Sequence, residues 1–297
     1  MEKSLENSPL VSVIVLTYNS ASTVLETLNS IKQQTLQNIE LIITDDCSKD
    51  NTLEICLNWL NLNKERFVNA TMLKVDKNTG VAANCNRGLQ ASTGQWIKFI
   101  AGDDILLPDC LYDNLLFSTE HNSKITFSRL NFFKDGAILQ KDVCGVELKR
   151  FSKKSLQGKR KSYIRNSVFL NVPTLFFSKD ALINLNGFDE RFRLLEDVPF
   201  ILKALNNSYN ICFLDKTTVN YRVQSNSITA VKSPNFINDV YSVYKTFRRP
   251  NLNSFNPKDL IFKTYWDMDF YLKLKGYDRK KWYTLSIMIK VLLRYIS

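Results

Sequence analysis

The chain has one histidine, His121, in 297 residues. A Ser/His/Asp triad would have to be built around that single ring, and a multi-histidine metal site is excluded. His121 stands between Glu120 and Asn122, which reads as solvated surface. Six cysteines (Cys47, Cys56, Cys85, Cys110, Cys144 and Cys212) include no CxxC pair and match no zinc spacing. The start, MEKSLENSPLVSV, has no apolar segment ahead of a cleavage site. The expectation is therefore no secretory signal, reduced thiols and a cytoplasmic location. No apolar run reaches the roughly 20 residues that span a bilayer. The nearest approach, Leu285 to Ile296, is interrupted by Lys290 and Arg294. A soluble or peripheral protein is expected.

Hydrophobic residues make up 44% and charged residues 23%, a globular composition. Forty basic against 29 acidic residues give a formal charge of +11, which calls for an anionic partner: nucleic acid, an anionic membrane surface or a phosphorylated substrate. No motif that reads DNA or RNA is present, and four acidic strand-end residues would repel phosphate unless a metal is present. Nucleic acid is not the expected partner.

The first hundred residues alternate strand and helix signals. VSVIVL (11–16) is a short continuous apolar run, as expected for a strand buried on both faces; IELIIT (39–44) reads as a second buried strand, and ATMLKV (70–75) and QWIKFI (95–100) as a third and a fourth. Between them lie helical patterns. Thr23 and Glu26 have the spacing of a capping box, with Val24, Leu25, Leu28 and Ile31 following. Leu53, Cys56, Leu57 and Leu60 mark a second helix; Val81, Ala82, Cys85 and Leu89 mark a third, over 80–91. This order predicts an α/β fold with a mostly parallel central sheet flanked by helices. Ligands of such sheets lie at the carboxyl ends of the strands. Those ends carry Thr17-Tyr18-Asn19, Asp45-Asp46, Asp76, Asn78 and Gly80, and Gly102-Asp103-Asp104.

Beyond residue 118 the pattern is less regular. Residues 149–165 hold eight cations and no acid. Three readings are open for this stretch: a solvated loop, a lid over a diphosphate, or contact with anionic lipid. From Ser178 a helix is expected to end at Gly187, a natural C′ residue. A strand and turn are expected around 217–227. From about Pro234 the chain becomes rich in aromatics and lysine, which reads as a helical C-terminal extension. Its last part joins Trp282 and Tyr283 to Arg279, Lys280 and Lys281, either a membrane-surface face or a helix packed on the domain.

Asp103-Asp104 follows an apolar strand. Two carboxylates there suit a hard divalent cation, Mn²⁺ or Mg²⁺, holding the diphosphate of a nucleotide-sugar. Gly-Asp-Asp also reads as a simple turn, and its place in the strand series favours the site. Asp45-Asp46 reads both as a helix-capping loop and as an acceptor for a uracil imide N–H, with Tyr18 stacking on the base. Glu196-Asp197 precedes Val198-Pro199, a helix start. There a carboxylate is favoured as its anion, the state a general base needs, although an Asp N-cap requires no such role.

Taken together and in order, VSVIVLTYN, ELIITDDCSKDNT, NTGVAANCNRGL, WIKFIAGDDILLPD, NLNGFDERFRLLEDVPF and NYRVQSNSIT resemble the family 2 glycosyltransferases of the GT-A fold, over about residues 9 to 230. The resemblance implies inverting transfer from a nucleotide-sugar, a UDP-sugar first among candidates. The expected acceptor is a glycan or lipid-linked glycan of bacterial surface polysaccharide. It implies a transferase domain over 1–232, with a nucleotide half near 9–108 and an acceptor half near 109–232, followed by the helical extension over 233–297. By the same resemblance Tyr18 and Asp46 contact the nucleobase beside Leu16 and Thr17. Asp103 lies near ribose and metal, Asp104 is the principal metal ligand, and Asp197 is the base with Glu196 beside it. Asn78, Gly80 and Asn86 shape the nucleotide wall, and Arg222 can offset phosphate charge. The chain departs from the family at Ala101, where an acid is frequent, at Cys85, where arginine is common, and at Gln224, where histidine often stands. A rival reading is a sugar-nucleotide-binding module without activity.

Overall fold

A computed structural model describes residues 8–143, 145–165, 170, 172–224 and 234–274. The segment around 279–297 and the end of the turn expected to reach Ser227 lie outside the described residues. Four strands form the parallel half of the sheet: β1 (Val11–Thr17), β2 (Ile39–Asp45), β3 (Asn69–Lys74) and β4 (Trp96–Ala101). They are ordered β3-β2-β1-β4, so the chain runs outward from β1 and returns to its other side. The crevice between the carboxyl ends of β1 and β4, where the winding reverses, is the place where such sheets take ligands. The connecting helices are α1 (Val24–Lys32), α2 (Thr52–Asn63) and α3 (Val81–Ala91).

The sheet continues through short β5 (Ile105–Leu106), long β6 (Ile125–Lys134), β7 (Ala137–Gln140), β8 (Leu175–Ser178) and β9 (Ile211–Arg222), in the order β4-β8-β6-β9-β5, with β7 on β6. The supposedly irregular middle is thus regular. It holds a hairpin whose turn residues Asp135 and Gly136 both have positive φ, as a two-residue turn of this kind requires. It also holds the helices α4 (Cys110–Glu120), α5 (Gly145–Ser152) and α6 (Leu156–Arg165). After β8 come α7 (Lys179–Asn184) and α8 (Asp197–Asn206). α7 stops three residues short of Gly187, whose N–H reaches back to the Leu182 carbonyl at φ +58°.

Two apolar cores lie in the fold. One is built from α1, α2 and β1–β4 side chains such as Val13, Leu28 and Leu41. The other joins Phe99, Phe177 and Phe200 to Tyr163, and also to Tyr244, Leu252 and Phe262 of the C-terminal segment. That segment holds the helices Pro234–Val243 and Pro257–Leu274, with Tyr244 and Leu252 in the stretch between them. Sequence periodicity named two outward residues as inward. Leu25 and Leu57 are exposed, and Trp59 takes the inner place on α2. Among the described residues no helix is long and apolar enough to cross a membrane.

The basic stretch is stitched into the protein. Lys149 pairs with Asp215 at 2.7 Å and Arg165 with Asp259 at 2.6 Å. The buried Lys159 ammonium donates to Asn210 and to the Ile211 carbonyl. Arg160 donates to Asn206 and Asn251. Arg150, Lys153 and Lys161 have no ion-pair partner among the described residues. His121 caps α4 at the surface, its ring stacked on Phe117.

Candidate active site

α1 fixes the turn after β4. Thr23 and Glu26 do not form the expected capping box, because each has a tertiary partner. The Thr23 hydroxyl donates to the Gly102 carbonyl at 2.8 Å, and Thr27 donates to the Asp104 carbonyl at 2.7 Å. Glu26 accepts from the Arg222 guanidinium at 3.0 Å. The turn is also tied to β1, whose Leu16 carbonyl accepts the Gly102 N–H.

Asp104 is 1% exposed. Its Oδ1 accepts the Arg222 backbone N–H at 2.9 Å, and its buried Oδ2 meets no donor among the described residues. Burial pushes its pKa far up, and the charge of Asp103 adds to that. Burial likewise raises Asp103, while Arg222 opposes the rise. Gln224, standing where the family often has histidine, donates to Asp103 Oδ2 at 3.3 Å. An orphaned carboxylate oxygen beside a second carboxylate, both displaced from ordinary ionisation by burial, fits a hard divalent cation. No group of three acidic, histidine or cysteine ligands occurs among the described residues. The two aspartates would therefore share such an ion with donor oxygens from outside the protein. Arg222 is not aimed at open solvent. Its guanidinium donates to the Asp103 carbonyl at 2.7 Å and to Glu26, and lies 4.4 Å from the Phe133 ring centroid.

On the other side of β1, Asp45 is consumed by the loop: it accepts from the Thr17 hydroxyl and the Ser48 N–H. Asp46 is buried too. Its carboxylate accepts the N–H groups of Thr79 and Gly80 and the Thr79 hydroxyl, at 2.6 to 3.0 Å, with Arg87 at 3.4 Å. Those bonds leave little acceptor capacity for an imide N–H. Tyr18 is 50% exposed, leaving its ring open to a base. Arg87 escaped sequence reading, although it stands two residues beyond Cys85, where the family's arginine was sought. It also donates to Asn84 and Thr79.

Gly80 begins α3 at φ +96°, and a Cβ there would meet the Arg193 carbonyl oxygen at 2.8 Å. That close approach lets the Val81 N–H reach the same carbonyl at 2.8 Å, while the Arg193 guanidinium holds Asn78. The segment leading into α8 is thereby fastened beside the Asp46 loop. Asn86 lies further along α3 and binds the Phe188 backbone and Glu190, so it secures the 187–190 loop.

Glu196 takes the N-cap position of α8, leaving Asp197 as the first helical residue. Asp197 accepts the Val198 N–H at 2.6 Å. Burial, reinforced by Asp197, lifts Glu196 to about 8; burial lifts Asp197 to about 6, against the pull of the Val198 bond and of Arg248. Tyr221 of β9, which sequence reading did not single out, feels the charge of both acid pairs. Its phenol is pushed up by burial and then by Asp104, Asp103, Glu196 and Asp197 together.

The strand-order reversal and the helices flanking the sheet give a GT-A type of fold. The profile described as Glycosyl transferase family 2 matches residues 12–181. The chain belongs to that family. It is 26% identical over 200 residues to an uncharacterized glycosyltransferase of Haemophilus influenzae, covering 66% of this chain and 62% of that protein's length. It is 26% identical over 227 residues to the Campylobacter jejuni GalNAc(5)-diNAcBac-PP-undecaprenol beta-1,3-glucosyltransferase, covering 68% of this chain and 71% of that one. The fold is similar to that of Staphylococcus aureus TarS 1–349 in complex with UDP-GlcNAc, with a TM-score of 0.63 and 21% identity, over 94% of this chain and 76% of that one.

Proposed function

We propose that this protein is an inverting, metal-dependent glycosyltransferase that moves a sugar from a nucleotide-sugar, a UDP-sugar by preference, to a hydroxyl of a glycan or lipid-linked glycan in bacterial surface-polysaccharide synthesis. It would work in the cytoplasm or at the inner membrane face. The observation that carries this reading is the buried, unbonded Asp104 Oδ2 beside Asp103 at the crevice of the sheet. Asp103 and Asp104 would hold Mn²⁺ or Mg²⁺, which when bound offsets the charge that grows on a diphosphate leaving group. The relatives' names support the donor and acceptor classes.

The chain's own residues divide the remaining work. Tyr18 stacks on the base, and Asp46 shapes its wall through Thr79 and Gly80. Arg222 supports the acid turn from behind. Asp197 takes the proton of the attacking acceptor hydroxyl. Burial raises both acids, and the charge of Asp197 raises Glu196 further, so two adjacent negative charges are disfavoured and the pair tends to hold one proton between them. Acids held in this way can act as a base beside a protonated neighbour.

The test is release of UDP or GDP from a panel of nucleotide-sugars with Mn²⁺ or Mg²⁺, with and without a membrane-extracted acceptor. Asp197→Asn should keep metal-dependent nucleotide binding and lose transfer. Absence of release with every donor in both conditions would sink the enzyme reading. Binding of UDP without release would instead favour the inactive module.

A further inference from the structure

β7 is an edge strand: among the described strands it pairs with β6 alone. All four of its residues are exposed, Leu139 at 58% and Ile138 at 40%. At the tip of the hairpin a Cβ on Gly136 would meet nothing within 4 Å. An open edge that carries adjacent branched aliphatic side chains is a liability unless something covers it. The hairpin also stands beside the acid turn. Phe133 of β6 is opposite Ile138 on one side and opposite Arg222 on the other. Arg222 is the residue whose N–H Asp104 accepts. β7 thus lies two strand spacings, about 10 Å, from the strand that holds the aspartate pair. The chain leaves β7 and enters α5, whose inner residues Gly145, Leu148 and Phe151 are buried. The outer face of α5 presents Val146, 65% exposed, with Lys149 and Arg150 at helical spacing and Lys153 just beyond.

We propose that the β6–β7 hairpin, with the outer face of α5, is a docking surface for an anionic bilayer, which it touches through Ile138 and Leu139 and the flanking Lys134 and Lys141.

Charge decides the occupant. Lys149 is taken by Asp215, and Asp142 by Arg129 at 2.8 Å. Lys134, Lys141, Arg150 and Lys153 have no ion-pair partner among the described residues, and of the acids in this stretch only Asp135 and Glu147 are likewise unpaired. Unpaired cations therefore outnumber unpaired acids four to two around the apolar edge. Aliphatic side chains enter the boundary between headgroups and acyl chains, while lysine and arginine are drawn to anionic headgroups. That attraction acts over a Debye length, about 8 Å, so the cations of α5 contribute without touching the lipid. A second copy of the chain is the weaker occupant, because each copy brings a net charge of +11. The inference rests on the proposed reading of a lipid-linked acceptor only for its use: a docked hairpin would hold the acid crevice close to a substrate confined to the bilayer.

The experiment is co-sedimentation of the full chain with two kinds of vesicle, phosphatidylcholine alone and phosphatidylcholine with an equal part of phosphatidylglycerol, with no nucleotide, metal or acceptor added. The chain should bind the mixed vesicles about tenfold or more tightly than the neutral ones, and the preference should fade as salt is raised. Ile138→Ser combined with Leu139→Ser should lower binding to the mixed vesicles on the order of tenfold. Lys134→Gln combined with Lys141→Gln should lower it by a similar factor, about tenfold. Melting temperature and UDP binding should stay those of the natural protein in both variants. If one variant does not fold, the other decides. No binding to the mixed vesicles, equal binding to the two kinds, or undiminished binding by a folded variant overturns the proposal. A dimer in sedimentation equilibrium that the serine variant dissolves, with its vesicle binding unmoved, gives the edge to a second copy and also overturns it. Vesicle binding as expected with no UDP or GDP released from any donor leaves the docking surface standing and removes the transferase reading. Donor turnover with vesicle binding unmoved in the variants removes the docking surface alone.

Discussion

The backbone N–H of Arg222 donates to Oδ1 of Asp104 across 118 residues of sequence, while the Arg222 side chain returns to the carbonyl of Asp103. One residue at the end of β9 thus binds both members of the acid pair after β4. The bond satisfies one oxygen of Asp104 and leaves the other for a ligand. Replacing Asp104 by Asn should lower Mn²⁺-dependent UDP binding on the order of 100-fold or more, as read by calorimetry. The fold should persist without metal. Because the Asp104 pKa is raised in the folded protein, its contribution to stability is present at low pH and lost as pH rises. Asp104→Asn should therefore be at least as stable as the natural protein at neutral pH when metal is chelated. An unchanged UDP affinity in Mn²⁺ would remove Asp104 from the metal site.

Glu196 offers a cleaner linkage test. Its folded pKa of about 8 exceeds the ordinary carboxylate value, so its stabilising contribution is complete in acid and disappears as pH climbs to about 8. Urea titrations should show Glu196→Gln gaining on the order of 1 kcal/mol over the natural protein at pH 8 and nothing at pH 4. Equal effects at both pH values would contradict the assigned direction.

Asp197, raised to about 6, must be ionised to accept a proton. The rate of sugar transfer should fall on the acid side of about pH 6. A flat profile down to pH 5 would place the base elsewhere.

Arg222→Met should cost about 2 kcal/mol, since it removes charged hydrogen bonds to Glu26 and to a backbone carbonyl together with the contact on Phe133. Arg222→Lys should recover little of that, because a single ammonium cannot reproduce the fork. Chemical denaturation gives both values.

Gly80→Ala combines a positive φ with a Cβ aimed at the Arg193 carbonyl. It should destabilise by about 2 kcal/mol and weaken UDP binding as α3 separates from the segment that leads into α8. Thermal melts and UDP calorimetry would measure the two effects.

The parallel half of the sheet was legible because β1, β2 and β4 are buried and appear as largely apolar runs, whereas β3, at the sheet edge, is half-buried and carries a mixed pattern. Four strand ends then pointed to the crevice. What escaped depended on partners distant in sequence. Thr23 and Glu26 have the spacing of a local cap, yet Gly102 and Arg222 claim them. The cations of α6 looked solvated because Asn206, Asn251 and Asp259 lie 46, 91 and 94 residues away. Tyr221 gave no periodic signal at the edge of a twelve-residue strand. The Asp135-Gly136 turn, by contrast, carries its signal locally, in an Asp-Gly pair that takes positive φ at both residues.

The core that surrounds Phe177 and Phe200 takes Tyr244, Leu252 and Phe262 into its interior. During synthesis that core cannot close until those residues have left the ribosome. By then every described strand has already emerged. The nascent transferase half must wait with an apolar face uncovered, an interval in which aggregation competes with completion. A chain cut at residue 233 would make that interval permanent.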